Sequence, residues 1–510
     1  MATQNSKLLF WAITCALAGF IFGFDLIVIS GAEQKIQALW GLNGFEHGLA
    51  MSAALWGTVI GSIFGGILTD KFGRKQVLLW IGILYFVSAL GSAFAPNVTF
   101  FSISRLIGGI GIGISTVAAP LFISEISPAD RRGRLTGMFQ FNIVFGLLIA
   151  TISNAAILGI MGGESETAWR WMLGTEAVPA LIYSFMCFTL PESPRWLIDH
   201  GRREEGKAIL GQINPNFDAA TLEAKVAEIE QAADAESDDP KVVWKPLKLA
   251  LVLAFLVAFF NQLSGINAIL GFSPRILGMT GFDPSESLFN ASLITLVNLI
   301  FTLVGLRLID KLGRRTLLYI GSFGYIASLS ICAWAFNHYK APFEDAADAI
   351  SLKNNAAAIV EDVSLLPDRY ATSITPENIS EETIKAVAAT SLKTAKEETG
   401  AGSIIVLLSI LGFIAAHAVG QGAVIWVLIS EIFPAAARGF GQSLGCATHW
   451  VFAAILTFAF PLAMEAFSAT QIFGFFAFMM VLHLIWVKVM VPETKSISLE
   501  DMQRQLNKKS

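Results

Sequence analysis

Apolar residues in this chain come in long unbroken blocks, each on the order of 20 residues, the length of a helix that crosses a bilayer. The blocks run from Leu8 to Ile29, His47 to Thr69, Gln76 to Phe94, Val98 to Phe122, Gly137 to Leu158 and Trp169 to Leu190. After a polar stretch they resume from Leu247 to Leu270, Leu288 to Leu308, Thr316 to Phe336, Ser403 to Leu428, Gly441 to Met464 and Gln471 to Val491. The pattern predicts an all-α membrane protein with twelve transmembrane helices in two sets of six. The first block is longer than the apolar core of a secretory leader and lacks a small-residue cleavage site, so it is expected to be a retained span.

The polar segments divide the chain. Residues 1–190 read as a first six-helix bundle, 191–245 as a charged linker with short helices such as Ala219 to Ala233, 246–495 as a second six-helix bundle, and 496–510 as a tail. Between the ninth and tenth blocks lies an insertion, 338–401, whose excess of Asp and Glu over Lys and Arg presents it as a solvated acidic loop. Lys71, Arg74, Lys75, Arg131, Arg132, Arg134, Lys311, Arg314, Arg315 and Arg438 all gather on one face. Positive charge beside short loops marks the cytoplasmic side. That face, the linker and both termini are therefore expected inside the cell, the insertion outside it, and the chain in the plasma membrane.

Composition agrees and removes other classes. With 54% hydrophobic and 15% charged residues and a mean hydropathy of +0.61, there is too little polar surface to cover a soluble globule of this size. The net charge of -5 and the lack of a Lys/Arg tract give no indication of a nucleic-acid partner. Cys15, Cys187, Cys332 and Cys446 sit in separate apolar blocks without C-x-x-C spacing, which predicts free thiols and neither a disulfide framework nor a metal site. No nucleophile with a base, metal spacing or cofactor loop points to an enzyme.

An internal repeat relates the halves. Asp70-Lys71-Phe72-Gly73-Arg74-Lys75 recurs as Asp310-Lys311-Leu312-Gly313-Arg314-Arg315, Ser124-Glu125-Ile126 as Ser430-Glu431-Ile432, and Pro191-Glu192-Ser193 as Pro492-Glu493-Thr494. Between the first and second of these anchors the second half is about 66 residues longer, which the acidic insertion nearly accounts for. Duplicated halves of six spans place a binding site between them near the midplane. Two features fit such a site. Asn261-Gln262-Leu263-Ser264-Gly265-Ile266-Asn267 sets three amides and a helix-loosening glycine inside an apolar block, where unpaired polar groups are costly. Asp25, Arg105 and Glu176 are ionisable residues inside the first, fourth and sixth blocks. A carboxylate that alternates between standing alone in lipid and pairing with an arginine takes up and releases a proton.

Further motifs complete an ordered set: Gly23-Phe24-Asp25, Ile29-Ser30-Gly31, Pro191-Glu192-Ser193-Pro194-Arg195-Trp196, Glu431-Ile432-Phe433-Pro434 and Pro492-Glu493-Thr494-Lys495. In these the chain resembles a sugar porter of the major facilitator superfamily, over nearly its whole length apart from the insertion. The resemblance implies two pseudo-symmetric six-helix bundles that import a monosaccharide, a hexose or pentose, by alternating access. It places substrate contacts at Phe22, Gln140, Asn261, Gln262, Asn267, Asn298, Trp426, His449 and Trp450. Amides suit sugar hydroxyls because both donate and accept, and an indole covers the C–H face of the ring.

Proton-coupled members carry an Asp, an Arg and a Glu at the positions matching Asp25, Arg105 and Glu176, whereas facilitative glucose transporters lack the first acid. The resemblance thus implies symport with a proton; passive uniport and a non-transporting sugar sensor are the alternatives. It also implies that Asp70, Arg74, Glu125, Arg132, Glu192, Arg195, Asp310, Arg314, Glu431, Arg438 and Glu493 form a cytoplasmic gate network that locks the outward-facing state. No cofactor is expected, and the lipid bilayer, the sugar and the proton are the partners of a chain expected to act as a monomer. The chain departs from the family pattern at Asn261 (usually Gln), Gly271-Phe272 (a Tyr pair), Ala423 (Pro) and His449 (Asn or Gln). A histidine at that last position binds a hydroxyl, senses pH or attracts an acidic sugar.

Overall fold

A computed structural model describes residues 2–128, 131–163, 165–237, 247–375, 377–495, 497, 502 and 504. Among these residues, 12 helices are long and apolar enough to cross a membrane, and they coincide with the twelve apolar blocks. The first half contains α1 (Ala2–Val28), α2 (Glu33–Trp40), α3 (Gly44–Phe72), α4 (Arg74–Ala93), α5 (Val98–Ile126), α6 (Arg132–Met161), α7 (Ala168–Gly174) and α8 (Ala177–Phe188). Then come α9 (Pro194–Asp199), α10 (Arg203–Ile213) and α11 (Ala219–Ser237). The second half contains α12 (Lys248–Leu263), α13 (Ile266–Gly271), α14 (Ser273–Gly278), α15 (Pro284–Leu312), α16 (Arg314–His338), α17 (Lys340–Asn354), α18 (Ala356–Glu361), α19 (Glu381–Thr399), α20 (Gly402–Val419), α21 (Gln421–Glu431), α22 (Ala435–Ala466) and α23 (Ala469–Val489). Three spans are interrupted, the sixth between α7 and α8, the seventh between α12 and α13, and the tenth at Gly420 between α20 and α21.

Local sequence sets the ends of these helices. Capping boxes, Asn43 with Glu46, Asp283 with Glu286 and Ser468 with Gln471, start α3, α15 and α23 on the face that carries the insertion. On the opposite face, where α1 begins and α23 ends, the repeated D-K-x-G-R motifs turn α3 into α4 and α15 into α16. Gly73 and Gly313 take nearly the same backbone there, φ +87° and +88°, so the sequence repeat is also a structural one. Within the first half α5 lies so close to α3 that a Cβ on Gly109 or Gly113 would strike the carbonyl oxygens of Ala54 and Thr58. The glycines of that helix thus serve close packing.

The insertion differs from its expected form as a solvated loop. It folds into α17, α18 and α19 around a core of its own, with Leu352, Ile359, Tyr370, Ile374, Ile384 and Ala388 buried. Phe343, Ala346, Ala349 and Leu352 recur every third residue on α17 and form one buried face, a helical period that the many acids conceal. Lys396 at its far end pairs with Glu286 of α15 at 3.1 Å.

Across the seam between halves, α3 packs on α22 and α6 on α15. Contacts there at mid-depth and toward the insertion face include Phe45 against Phe458 with centroids 5.3 Å apart, Thr151 Oγ1 to Thr295 Oγ1 at 2.7 Å, and Arg275 with Glu33 at 2.6 Å.

Candidate solute and proton site

The seventh span breaks because Gly265 adopts φ +85°, ψ 10°, a left-handed conformation that a residue with a Cβ takes only with strain. A Cβ there would also approach the Phe476 ring to 2.7 Å. The break gathers the three amides. Asn267 Nδ2 donates to Gln262 Oε1 at 2.8 Å, and Gln262 Nε2 donates to Asn261 Oδ1 at 3.1 Å. The same Nε2 lies 3.1 Å from Nδ1 and 3.2 Å from Nε2 of His449, one of which accepts from it. That role belongs to a neutral imidazole, since both nitrogens of the charged ring are donors.

Trp426 and Trp450 flank His449, with centroids 5.1 and 4.7 Å away, and Trp450 reaches across the seam to Phe22 at 5.6 Å. Seven of the expected contact residues thus form one cluster. Asn298 and Gln140 do not join it through hydrogen bonds among the described residues. Asn298 is buried on α15, where its Oδ1 accepts from Thr302 at 3.4 Å, and Gln140 is half-buried on α6.

The ionisable trio also comes together. Arg105 on α5 makes an ion pair with Asp25 on α1 and donates a second bond, 2.7 Å, to the Asp25 carbonyl oxygen. Glu176, at the break in the sixth span, is buried and interacts electrostatically with both. Asp25 Oδ2, Arg105 Nε and Glu176 Oε1 are buried without a hydrogen-bond partner among the described residues. A buried carboxylate is stabilised by a fork-shaped guanidinium that satisfies several acceptors at once, and here one arm holds the side chain and another the backbone. A cavity between the halves has both Arg105 and Asn267 in its wall, with Leu26, Met51, Gly271 and Thr457. One member of the ion pair and one of the amide cluster thus face one space.

On the face of the D-K-x-G-R turns, two matching sets of ion pairs form among the described residues, one in each half. Arg74 grips Glu125 with two bonds of 3.0 Å and contacts Asp70 at 3.2 Å; Arg314 grips Glu431 at 3.0 and 2.7 Å and contacts Asp310 at 3.5 Å. Glu192 and Glu493 join through the backbone. Glu192 accepts from the amides of Arg74 and Lys75 at 2.8 and 3.1 Å, and Glu493 from those of Arg314 and Arg315 at 3.0 and 3.1 Å. Each caps a helix N-terminus, where a negative charge meets free N–H groups and the positive end of the dipole. Arg195 lies in the first turn of α9. The side chains of Arg132 and Arg438 lie outside the described residues.

One constellation was not anticipated. Glu33 of α2 and His47 of α3 are fully buried near the insertion face. Arg275 of α14 binds Glu33 through Nε at 2.9 Å and Nη2 at 2.6 Å, and also reaches Gln37 Oε1 at 2.6 Å. His47 Nε2 stands 3.2 Å from Glu33 Oε2. Burial pushes the Glu33 carboxyl up, but Arg275 and His47 outweigh it and hold the group below the usual carboxylate range. The available sequence signal was weak: three polar residues at the ends of apolar blocks, far apart along the chain.

A sequence model of the family described as "Sugar (and other) transporter" matches residues 11–352 and 383–506. The chain belongs to the sugar transporter family. The unmatched stretch falls inside the helical insertion. The arabinose-proton symporter of Bacillus subtilis (strain 168) is 30% identical over 500 residues, covering 96% of this chain and 94% of that one. The D-xylose transporter of Levilactobacillus brevis is 29% identical over 496 residues, covering 97% and 95%. Among solved structures, the inward-open conformation of the xylose transporter XylE from E. coli superposes with a TM-score of 0.73 at 26% identity, covering 97% and 98% of the two chains. This sugar transporter of the major facilitator superfamily is accordingly a multi-pass membrane protein built of two six-helix bundles.

Proposed function

We propose that this sugar transporter imports a monosaccharide, a pentose or hexose, together with a proton by alternating access across the plasma membrane. One observation carries the reading: Arg105, the partner of Asp25, and Asn267, bonded to Gln262 in the amide cluster, line a common cavity, which places the ion pair and the amides next to one space. A proton on Asp25 and the ion pair with Arg105 compete for the same carboxylate, and Glu176 beside them supplies a second acceptor. In the state with the pair formed, Asp25 has given up its proton. The amides then bind the sugar hydroxyls in place of one another, which preserves hydrogen bonding as the sugar enters and leaves. Trp426 and Trp450 cover its C–H face.

The positive-inside bias places the D-K-x-G-R face, both termini and the linker helices in the cytoplasm and the insertion outside. Half boundaries near 190 and 246 follow from that topology, and the halves act as a monomer. Seam contacts concentrated toward the insertion face, with the gate pairs closing inside each half, support an inward-facing state. One proton moving through ~100 mV supplies about 2.3 kcal/mol, an accumulation on the order of 50-fold. The test is uptake of labelled xylose, arabinose and glucose into proteoliposomes with and without an imposed inward proton gradient. Symport requires gradient-stimulated accumulation that Asp25→Asn abolishes; equal uptake with and without the gradient would identify a uniporter instead.

A further inference from the structure

The contacts of Glu33, His47 and Arg275 go beyond sugar and proton binding. Glu33 and His47 both belong to the first half, on α2 and α3, and Arg275 belongs to the second, on α14. The halves meet on the outer face, so opening to the outside must carry Arg275 away from Glu33. That leaves a carboxylate that is fully buried in the closed form facing a single remaining ionisable neighbour, His47, at 3.2 Å. A buried carboxylate that loses its only cation costs several kcal/mol, which opposes opening. A proton on His47 removes that penalty by supplying a cation from within the same half.

We propose that Glu33, His47 and Arg275 form an outer-gate latch with exchangeable cations: Arg275 neutralises Glu33 when the outer gate is closed, and protonated His47 neutralises it when the gate is open. Extracellular acid then favours the outward-open form through a proton site distinct from Asp25. The inference rests on the alternating-access reading but not on symport or on any particular sugar.

The surroundings suit the exchange. With the gate closed, neither ring nitrogen of His47 makes a hydrogen bond among the described residues, although Nε2 is within ion-pair distance of Glu33. Phe272 of the second half lies edge-on to the imidazole across the seam, with centroids 6.0 Å apart. The remaining charged groups around the site are exposed: Lys35 on α2, Glu46 on α3, and Glu465 at the end of α22, whose carboxylate lies over Gly44. None of them is buried to serve as a substitute for Arg275. With Arg275 in contact, Glu33 is held below the usual carboxylate range, and departure of Arg275 leaves burial pushing against its charge.

The test measures gate opening without sugar. Spin labels at Leu39→Cys and Phe467→Cys, both exposed on the outer face and in opposite halves, report the gap by pulsed dipolar distances in reconstituted protein. Between pH 8 and pH 5.5 the long-distance population is expected to rise, by at most about tenfold per pH unit for a single proton. His47→Gln should abolish that rise and leave the gate closed. His47→Lys, which fixes a cation in the first half, should hold a raised long-distance population at every pH. Arg275→Met should lengthen the distances at neutral pH. A pH response unchanged in His47→Gln, or a closed gate at all pH in His47→Lys, would overturn the latch. Asp25→Asn, measured in parallel, abolishes gradient-driven uptake if symport is correct, yet should leave the distance response intact, so the two readings fail separately.

Discussion

Asp70 and Glu125 both contact Arg74, but burial separates their weights. Asp70 is 72% exposed and its pair is screened by water, so Asp70→Ala should cost under about 1 kcal/mol. The Arg74–Glu125 pair is shielded at both ends, and Glu125→Ala leaves a buried guanidinium with only the exposed Asp70 carboxylate, at about 3 kcal/mol. Thermal unfolding in detergent of the two variants side by side checks the order. At the solute cluster, His449→Leu removes the acceptor for Gln262 Nε2 and should cost about 1 to 3 kcal/mol. His449→Gln, which can still accept, should keep the stability and change the ranking of pentoses, hexoses and uronic acids in competition uptake. Equal ranking in His449→Gln and the parent would place the histidine outside specificity.

Among elements, the broken seventh span is the most exposed to test. Gly265→Ala brings a Cβ into a left-handed backbone and against Phe476, costing roughly 1 to 2 kcal/mol in backbone terms before the ring shifts. The expected outcome is a lower melting temperature together with slower uptake, because the amides lose their convergence. Gly109→Leu on α5 should be worse for the fold, since the obstacle there is the Ala54 carbonyl oxygen of α3, a backbone atom that cannot rotate away. Loss of monodisperse protein on size-exclusion chromatography is the readout. The helices α17 to α19 make the opposite case. Most of their core is their own, with Phe343 packing on Phe336 and Tyr339 of the bundle and Lys396 pairing with Glu286 of α15, so excising 344–398 with a short flexible bridge should leave sugar uptake in place. Loss of uptake on excision would show that the insertion takes part in gating.

At the scale of the whole molecule, the two halves carry equivalent charged turns on one face and a single asymmetric latch on the other. Arg74–Glu125 and Arg314–Glu431 repeat because the sequence repeats, each bracing its own bundle as a rigid body. The outer latch does not repeat: Arg275 has no partner copy in the first half that binds its own Glu33-like residue in the described contacts. Rigid bundles with a breakable seam are what rocking about a midplane site requires. Arg275→Met is therefore expected to shift the conformational balance far more than it lowers the melting temperature of either bundle, a contrast that distance measurements and thermal unfolding on the same sample resolve.

The spans, the repeat and the glycine turns were legible in the sequence because each depends on neighbours in the chain: a run of apolar residues must be helical in lipid, and Gly73 and Gly313 punctuate it locally. The identity of the amide stretch was legible for the same reason, since Asn261 through Asn267 lie within two turns of one another. The helical insertion was hidden by its acids, whose count spoke for a loop while a three-residue period of apolar positions carried the fold. The meeting of Gln262 with His449, of Asp25 with Arg105 and of Glu33 with His47 and Arg275 depends on how helices far apart in sequence lie against each other. Sequence alone determined the helices and the chemistry available on them. Only the tertiary structure decided which buried charges found partners, because a buried charge is stable or costly according to what packing places within about 4 Å of it.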